Sequence, residues 1–415
     1  MKRLSGVIII ALAIGLAGNM LSAAVAVADA KKLRPAQRTS KMAPTNPATY
    51  VPIAYDNIAG WAGDDHGAAF SAFLKSCPRL ISSAAADGAV AARLPALVDV
   101  CRTAMALGPP AATTSQARAF FEAHFTPHRV THKAAQGLLT GYYEPLLDGS
   151  RTKSATYPTP IYRRPPDLVN VVAETERGAK AHALTHVRQT PDGRREAYPT
   201  RAEIEAGALT GQNLELMYLE NPVDVFFMQV QGSGRIRLPN GSKVRVTYDG
   251  KNGHPYTSVG RYLIDTGQFT TEQVSLQSLE TWLKADPARG QKAMWQNKSY
   301  VFFRELAGAE ADGPHGALQI PLTTGRSLAI DTGYHALGLP VWVASQKLVH
   351  ATQSGGFHRL MIAQDVGSAI RGPERGDIYF GSGEAAGKLA GITKHPANFI
   401  VLLPKDDTST RTVRP

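Results

Sequence analysis

The chain has 415 residues, 43% of them hydrophobic and 19% charged, which excludes a mainly disordered protein and leaves room for two or three folded domains. Its formal net charge is +11 and its pI about 9.6, yet the basic residues are scattered and no Lys/Arg tract carries interleaved aromatics, so nucleic acid is excluded as a partner. An acidic polymer such as cell wall, or an anionic membrane face, is expected in its place.

Lys2 and Arg3 precede an apolar run over 7–17, and Ala28 and Ala30 offer an A-x-A cleavage site. This is the anatomy of an export signal over 1–30, so the protein is expected in the periplasm. The signal is either removed or kept as an anchor, since apolar residues continue to Ala28. No cysteine follows the cleavage site, so a lipoprotein is not expected. Residues 31–52, rich in Lys, Arg, Pro, Thr and Ala, read as a flexible tether.

Phe70, Phe73, Leu74 and Cys77 recur at helical spacing up to Pro78, where the helix is expected to end. Val90, Leu94, Leu97, Val98, Cys101 and Met105 mark a second helix and residues 115–125 a third. Each has one apolar stripe, so the three are expected to pack on one side of a sheet. Cys77 and Cys101 are the only cysteines. Export permits a disulfide between them, and two buried thiols are equally compatible. His66, His124, His128 and His132 lack metal-ligand spacing and read as surface residues.

From Gly137 the texture turns to short β-like runs. In GLLTGYYEP, residues 137–145, Tyr142 and Tyr143 face opposite ways, so one ring packs inward while the other is free to stack on a sugar. Residues 151–201 show no assignable pattern. VDVFFMQVQGSGRIRL, residues 223–238, reads at period two: Phe226, Met228, Val230, Ile236 and Leu238 on one face, Gln229, Gln231, Ser233, Arg235 and Arg237 on the other. Such a strand, with its long polar row, suits the hydroxyl and N-acetyl groups of a polysaccharide. Helices are expected over 258–265, over 272–284 after a Thr270–Gln273 capping box, and from Asp286-Pro287 to near Trp295. Residues 297–306, 326–331 and 341–345 read as strands.

The most informative stretch is RLMIAQDVGSAIRGPERGDIYFGSG, residues 359–383. It puts Asp365 after an apolar run and Asp377 at the head of another, with glycines between. Ile378 and Phe380 alternate with Asp377 and Tyr379, which roots a carboxyl group on a packed strand. Glycine there lets the backbone turn sharply or approach a ligand closely. The plainer reading is that both aspartates are turn residues. A last strand over 399–403 leads to a loose tail over 405–415.

Taken together, GYYEP at Gly141, FMQVQGSGRIRL at Phe227, YTSVGRYLID at Tyr256, NKSYVFFRE at Asn297 and AQDVGSAIRGPERGDIYFGSGEAAGKLAG at Ala363 resemble the membrane-bound lytic transglycosylase A family. The last of these, with RSLAID before it, also resembles the 3D domain, named for three aspartates, whose places Asp331, Asp365 and Asp377 take here. The resemblance runs from about Gly137 to Pro404. It implies a mainly β fold with helices (α+β): a double-psi β-barrel over 53–143 and 309–404, a smaller β-rich domain inserted over 144–308, and a deep groove between them for a glycan strand. It further implies that Asp377 is the sole catalytic acid/base, with Asp365 and Asp331 in support. Tyr142, Tyr143, Gln229, Gln231, Ser233, Arg235, Tyr379 and Ser368 make up the expected sugar-binding set. The family's type member is a lipoprotein, and this leader departs from it.

The expected reaction is cleavage of the β-1,4 bond between N-acetylmuramic acid and N-acetylglucosamine in peptidoglycan, leaving 1,6-anhydro ends. A hydrolase using Asp365 and Asp377 as a pair and a wall-binding barrel that does not cut are the alternatives. An aspartic peptidase is disfavoured, because Tyr334 follows Asp331-Thr332-Gly333 and the two D-x-G triplets lie too close for two lobes. GSGEAAGK, residues 381–388, departs from a phosphate loop. Neither a cofactor nor a metal is expected. The partners expected are glycan strands and cell-wall synthesis proteins, and the protein is expected to be a monomer.

Overall fold

The structure, a computed structural model, describes residues 48–85, 95–108, 113–172, 184–307, 313–352 and 355–405. The export signal, the tether up to residue 47 and the tail from residue 406 lie outside them.

In chain order the first elements are β1 (Ala48–Pro52), α1 (His66–Ala85), α2 (Pro95–Leu107), α3 (Thr114–His124), β2 (Phe125–His132) and β3 (Gly137–Glu144). Then come β4 (Leu146–Ser150), β5 (Thr159–Tyr162), β6 (Leu168–Asn170), β7 (His186–Gln189), β8 (Arg195–Glu196), α4 (Arg201–Glu203), β9 (Glu215–Leu219), α5 (Pro222–Gln231), β10 (Ser233–Arg237) and β11 (Lys243–Lys251). Helices α6 (Val259–Asp265), α7 (Leu276–Ala285) and α8 (Pro287–Met294) lead to β12 (Val301–Leu306). The chain closes with β13 (Ser327–Ile330), β14 (Pro340–Ser345), β15 (Phe357–Asp365), β16 (Arg375–Ser382), α9 (Glu384–Ile392) and β17 (Lys394–Pro404).

One sheet runs β1-β2-β17-β14-β15-β13-β16-β3, and β3 pairs again with β17. Strands β17, β14, β15, β13, β16 and β3 therefore close into a ring, which leaves those six without a free edge. Its parallel pairs are β13 with β15 and β16 with β3. Leu328, Val341, Val343, Leu360, Ile362, Ile378, Phe399 and Val401 are fully buried in the core it shares with the helices. Each large side chain so buried contributes roughly 1.5–3 kcal/mol. A six-stranded sheet β12-β11-β10-β4-β9-β5 and a three-stranded sheet β6-β7-β8 come from the segment between β3 and β13. Both parts belong to one unit, residues 43–415.

The helices pack on the barrel through an aromatic layer in which Phe70 and Phe73 meet Phe120, and Phe73 meets Phe125. Helix α1 does not end at Pro78 but runs seven residues beyond it to Ala85. An internal proline removes one helical hydrogen bond, and burial of Cys77 and of Leu80 against Gly338 offsets that loss. Cys77 and Cys101 form a disulfide between α1 and α2, with Cα atoms 5.0 Å apart.

Four further expectations are corrected. Residues 48–52, read as tether, are strand β1, paired antiparallel with β2. His66 is fully buried, and the His132 ring, 5% exposed, meets the Glu374 carboxylate at 2.8 Å, so neither is a surface histidine. Helix α7 starts at Leu276 behind the N-cap Ser275; the Thr270–Gln273 box closes only an isolated turn. The polar-row strand over 223–238 does not exist as such. Asn221 caps Val223 N–H at 2.8 Å, Pro222 fills the first turn, and Gly232 ends α5 at φ 82, which leaves only 233–237 as strand. Proline at the start and left-handed glycine at the end are the ordinary punctuation of a helix. Helix α5 is buried on nearly every side, so it shows no 3.6-residue stripe.

Candidate active site

Strand alternation sets the site. On β15, Gln364 turns inward, donating to Ala72 O at 2.7 Å and Ser76 Oγ at 2.9 Å on α1. Its neighbour Asp365 faces the other way. The β13–β15 register slips after Leu328, so that Ala329 stands opposite Asp365 rather than Gln364. On the other side of β13, Ala329 also stands opposite Asp377 of β16. A bulge is a common way to re-aim a side chain beside a site, and this one puts two carboxylates on either flank of a small residue.

Strand β3 supplies the next layer, with Thr140 in register with Asp377 and Tyr142 with Tyr379. Thr140 Oγ1 donates to Asp377 Oδ1 at 2.6 Å, and Arg375 Nη2 donates to Thr140 Oγ1 at 2.8 Å. Among the described residues no donor reaches Asp377 Oδ2. Asp365 is held differently: Tyr142 OH donates to its Oδ2 at 2.9 Å, and the Ala317 and Val366 amides donate to its Oδ1, each at 2.9 Å. Beneath them Tyr142, Leu322, Ala329, Ile370 and Tyr379 form a small apolar cluster.

That cluster explains the electrostatics. Burial raises the Asp377 pKa above the ordinary carboxylate range; the Arg375 charge and the Thr140 hydrogen bond pull it down, and the Asp365 charge raises it further. Ile378 and Phe380, on the opposite face of β16, pack in the barrel core. Burial, with Asp365 at hydrogen-bonding distance, also raises the Tyr142 hydroxyl well above its usual value, so it is a donor at neutral pH.

The other expected site residues take different places. Asp331 is buried at the end of β13, accepting from Gly333 N and Gly372 N at 2.9 Å each, and braces the loop that enters β16. Tyr379 is buried, its hydroxyl 3.2 Å from Ser382 Oγ. Ser368 lies in the turn after β15, where its carbonyl accepts from Arg371 at 2.8 Å. Tyr143 turns away from the aspartates, packs on Gly387 of α9 and donates its amide to Gln231 Oε1 at 3.1 Å. Ser233 is buried, and Arg235 pairs at 2.9 Å with Glu144, which also takes Arg245 at 2.8 Å and Ser382 Oγ at 2.7 Å. Gln229 is buried inside the inserted segment, with its amide 3.4 Å from Val301 O. Asp377, Asp365, Tyr142 and Tyr379 are brought together; Glu144 and Ser382 connect Arg235 to Tyr379, and Gln231 holds the backbone of Tyr143.

Sequence reasoning missed Thr140 and Arg375. The signal was present, because period two puts Thr140 on the face of Tyr142 and Arg375 on the face of Asp377. What it lacked was the register joining two strands 237 residues apart.

Family models for an MltA specific insert domain match residues 138–304, and for a 3D domain residues 326–403. The membrane-bound lytic murein transglycosylase A of Vibrio cholerae is 34% identical over 268 residues, 63% of this chain and 64% of that protein. The chain thus matches less than two thirds of that curated relative's length. A crystal structure of a membrane-bound lytic murein transglycosylase from Agrobacterium tumefaciens superposes with TM-score 0.75 at 35% identity, covering 86% of this chain and 98% of that one. Escherichia coli MltA with bound chitohexaose superposes with TM-score 0.58 at 28% identity, over 87% and 93% of the two chains.

Proposed function

We propose that this chain, which belongs to the membrane-bound lytic murein transglycosylase A family, cleaves the β-1,4 bond between N-acetylmuramic acid and N-acetylglucosamine of peptidoglycan without consuming water. The observation that carries the reading is a single exchangeable carboxyl group. Asp377 has a raised pKa and one oxygen clear of donors among the described residues, while both oxygens of Asp365 accept fixed hydrogen bonds.

Protonated Asp377 gives its proton to the glycosidic oxygen as the bond to C1 of the muramic acid breaks. The C6 hydroxyl of the same sugar closes on C1, and the Asp377 carboxylate takes its proton, which restores the acid and leaves a 1,6-anhydro ring. One group serves twice because the nucleophile belongs to the substrate, whereas hydrolysis requires a second carboxylate free to handle water. The Asp365 charge favours a protonated Asp377. The glycan runs along a groove between the barrel (53–143 and 309–404) and the insert (144–308). A chitohexaose bound to the Escherichia coli relative supports a sugar-binding site of that kind. The place of action is the periplasm, where the polymer lies; among the described residues no helix is long and apolar enough to cross a membrane.

Mass spectrometry of the soluble products from purified peptidoglycan tests the reading. Anhydromuramic ends are expected, and reducing muramic ends would replace it with a hydrolase.

A further inference from the structure

The hydroxyl of Thr140 lies between a guanidinium, which can only donate, and a carboxyl oxygen of Asp377. We infer that Arg375 and Thr140 form a positioning relay that fixes the acid proton of Asp377 on Oδ2, the oxygen that no donor among the described residues reaches. This rests on the reading of Asp377 as the acid and specifies how that acid is aimed.

Hydrogen-bond inventory fixes the directions. A guanidinium has no acceptor, so in the 2.8 Å contact Thr140 Oγ1 accepts from Arg375 Nη2. The single hydroxyl proton of Thr140 is then directed to Asp377 Oδ1 at 2.6 Å. With Oδ1 already accepting, a proton on Asp377 belongs on Oδ2. Placing it on Oδ1 would turn the Thr140 hydrogen away from its carboxylate partner and lose a hydrogen bond. Arg375 is itself anchored, donating to Gly376 O and, at 3.4 Å, to Leu138 O. The register Asp377 with Thr140 on parallel strands keeps the spacing fixed.

The groups facing Asp377 are Arg375 on its own strand, Thr140 and Tyr142 on β3, and Asp365 at the end of β15. Arg375 and Thr140 favour the ionised carboxylate and Asp365 opposes it, so the relay sets the acid's strength as well as its direction. An acid aimed by two partners loses turnover when they go, and its alkaline limb moves up.

The experiment measures pH profiles of kcat and kcat/KM for release of anhydro products from purified peptidoglycan, together with ¹³C-carboxyl NMR titration of Asp377. Thr140→Val keeps the shape and removes the hydroxyl: kcat should fall roughly tenfold or more, and the alkaline limb and the NMR midpoint should both rise by about half to one pH unit. Thr140→Ser restores the hydroxyl and should return all three toward wild type. Arg375→Met should also raise the midpoint and lower kcat. A Thr140→Val profile and midpoint superimposable on wild type, or a Thr140→Ser variant as impaired as Thr140→Val, overturns the relay. If Thr140→Val fails to fold by circular dichroism, Arg375→Met decides, and an unchanged midpoint contradicts the inference. Absence of anhydro ends from the wild type would defeat the proposed reaction alone, because the NMR midpoints read the relay without turnover.

Discussion

Asp365 and Asp377 flank one residue, Ala329, from the two strands on either side of β13. Two strand spacings put their Cα atoms about 10 Å apart, yet the two carboxyl groups differ completely in freedom. Asp365 accepts from two backbone amides and a tyrosine hydroxyl. Asp377 has one threonine donor, an apolar floor and a raised pKa. Differentiated pairs of this kind divide labour in acid–base sites, and here one member is fixed by three donors while the other has a single donor among the described residues.

Asp377→Asn preserves volume but removes the exchangeable proton. Release of soluble muropeptides from peptidoglycan should fall at least about a hundredfold, while sedimentation with insoluble peptidoglycan stays as for wild type. Residual release within a few-fold of wild type would place the chemistry elsewhere.

Asp365→Asn removes the negative charge that raises the Asp377 pKa. The Asp377 midpoint should then drop, so the alkaline limb of kcat/KM moves to lower pH and activity at neutral pH declines. The direction is opposite to that expected for Thr140→Val, and the two pH profiles measured side by side check the sign.

Because the folded-state pKa of Asp377 lies above its unfolded value, its contribution to stability is fully present below the unfolded pKa and is lost as pH rises through the folded pKa. Above that point the buried charge is a cost. Asp377→Asn should therefore melt at a higher temperature than wild type at neutral pH, and the difference should shrink in acid. Calorimetry at several pH values reads this directly.

A Cβ on Gly137 would sit 1.9 Å from the carbonyl oxygen of Glu374, the same oxygen that accepts from Leu138 N at 3.0 Å and seats β3 against the loop entering β16. Gly137→Ala should cost about 1–3 kcal/mol or more of stability and reduce kcat by shifting Thr140 away from Asp377. Thermal melting with kinetics of the same sample tests both.

The Cys77–Cys101 disulfide ties α1 to α2 across 24 residues. Replacing both cysteines by alanine should lower stability by about 2–4 kcal/mol while leaving kcat unchanged, since neither residue is among the hydrogen-bond partners of Asp365 or Asp377. A parallel fall in kcat at temperatures where the variant is fully folded would refute that separation.

The strands that hold the candidate site were legible because they alternate plainly: 137–144 and 375–382 put Tyr142 and Asp377 where period two says they belong. The disulfide pairing was not decided by the sequence, since both cysteines lie on apolar helix faces whether joined or not. Helix α5 was misread because a segment buried on nearly every side has no stripe, and the apparent row of Gln229, Gln231, Ser233 and Arg235 arose from laying one period over a helix and a strand. Ala329 and the register slip beside it leave no trace in residue type. Thr140 and Arg375 needed knowledge of which strands become neighbours, which only the closed ring supplies.

The central claim is that the sugar's own hydroxyl replaces water under the control of one acid. Digestion of purified peptidoglycan in H₂¹⁸O, followed by mass spectrometry of the muramic ends, tests it most directly. The account predicts anhydro ends free of the label, and ¹⁸O at C1 of newly formed muramic ends would contradict it.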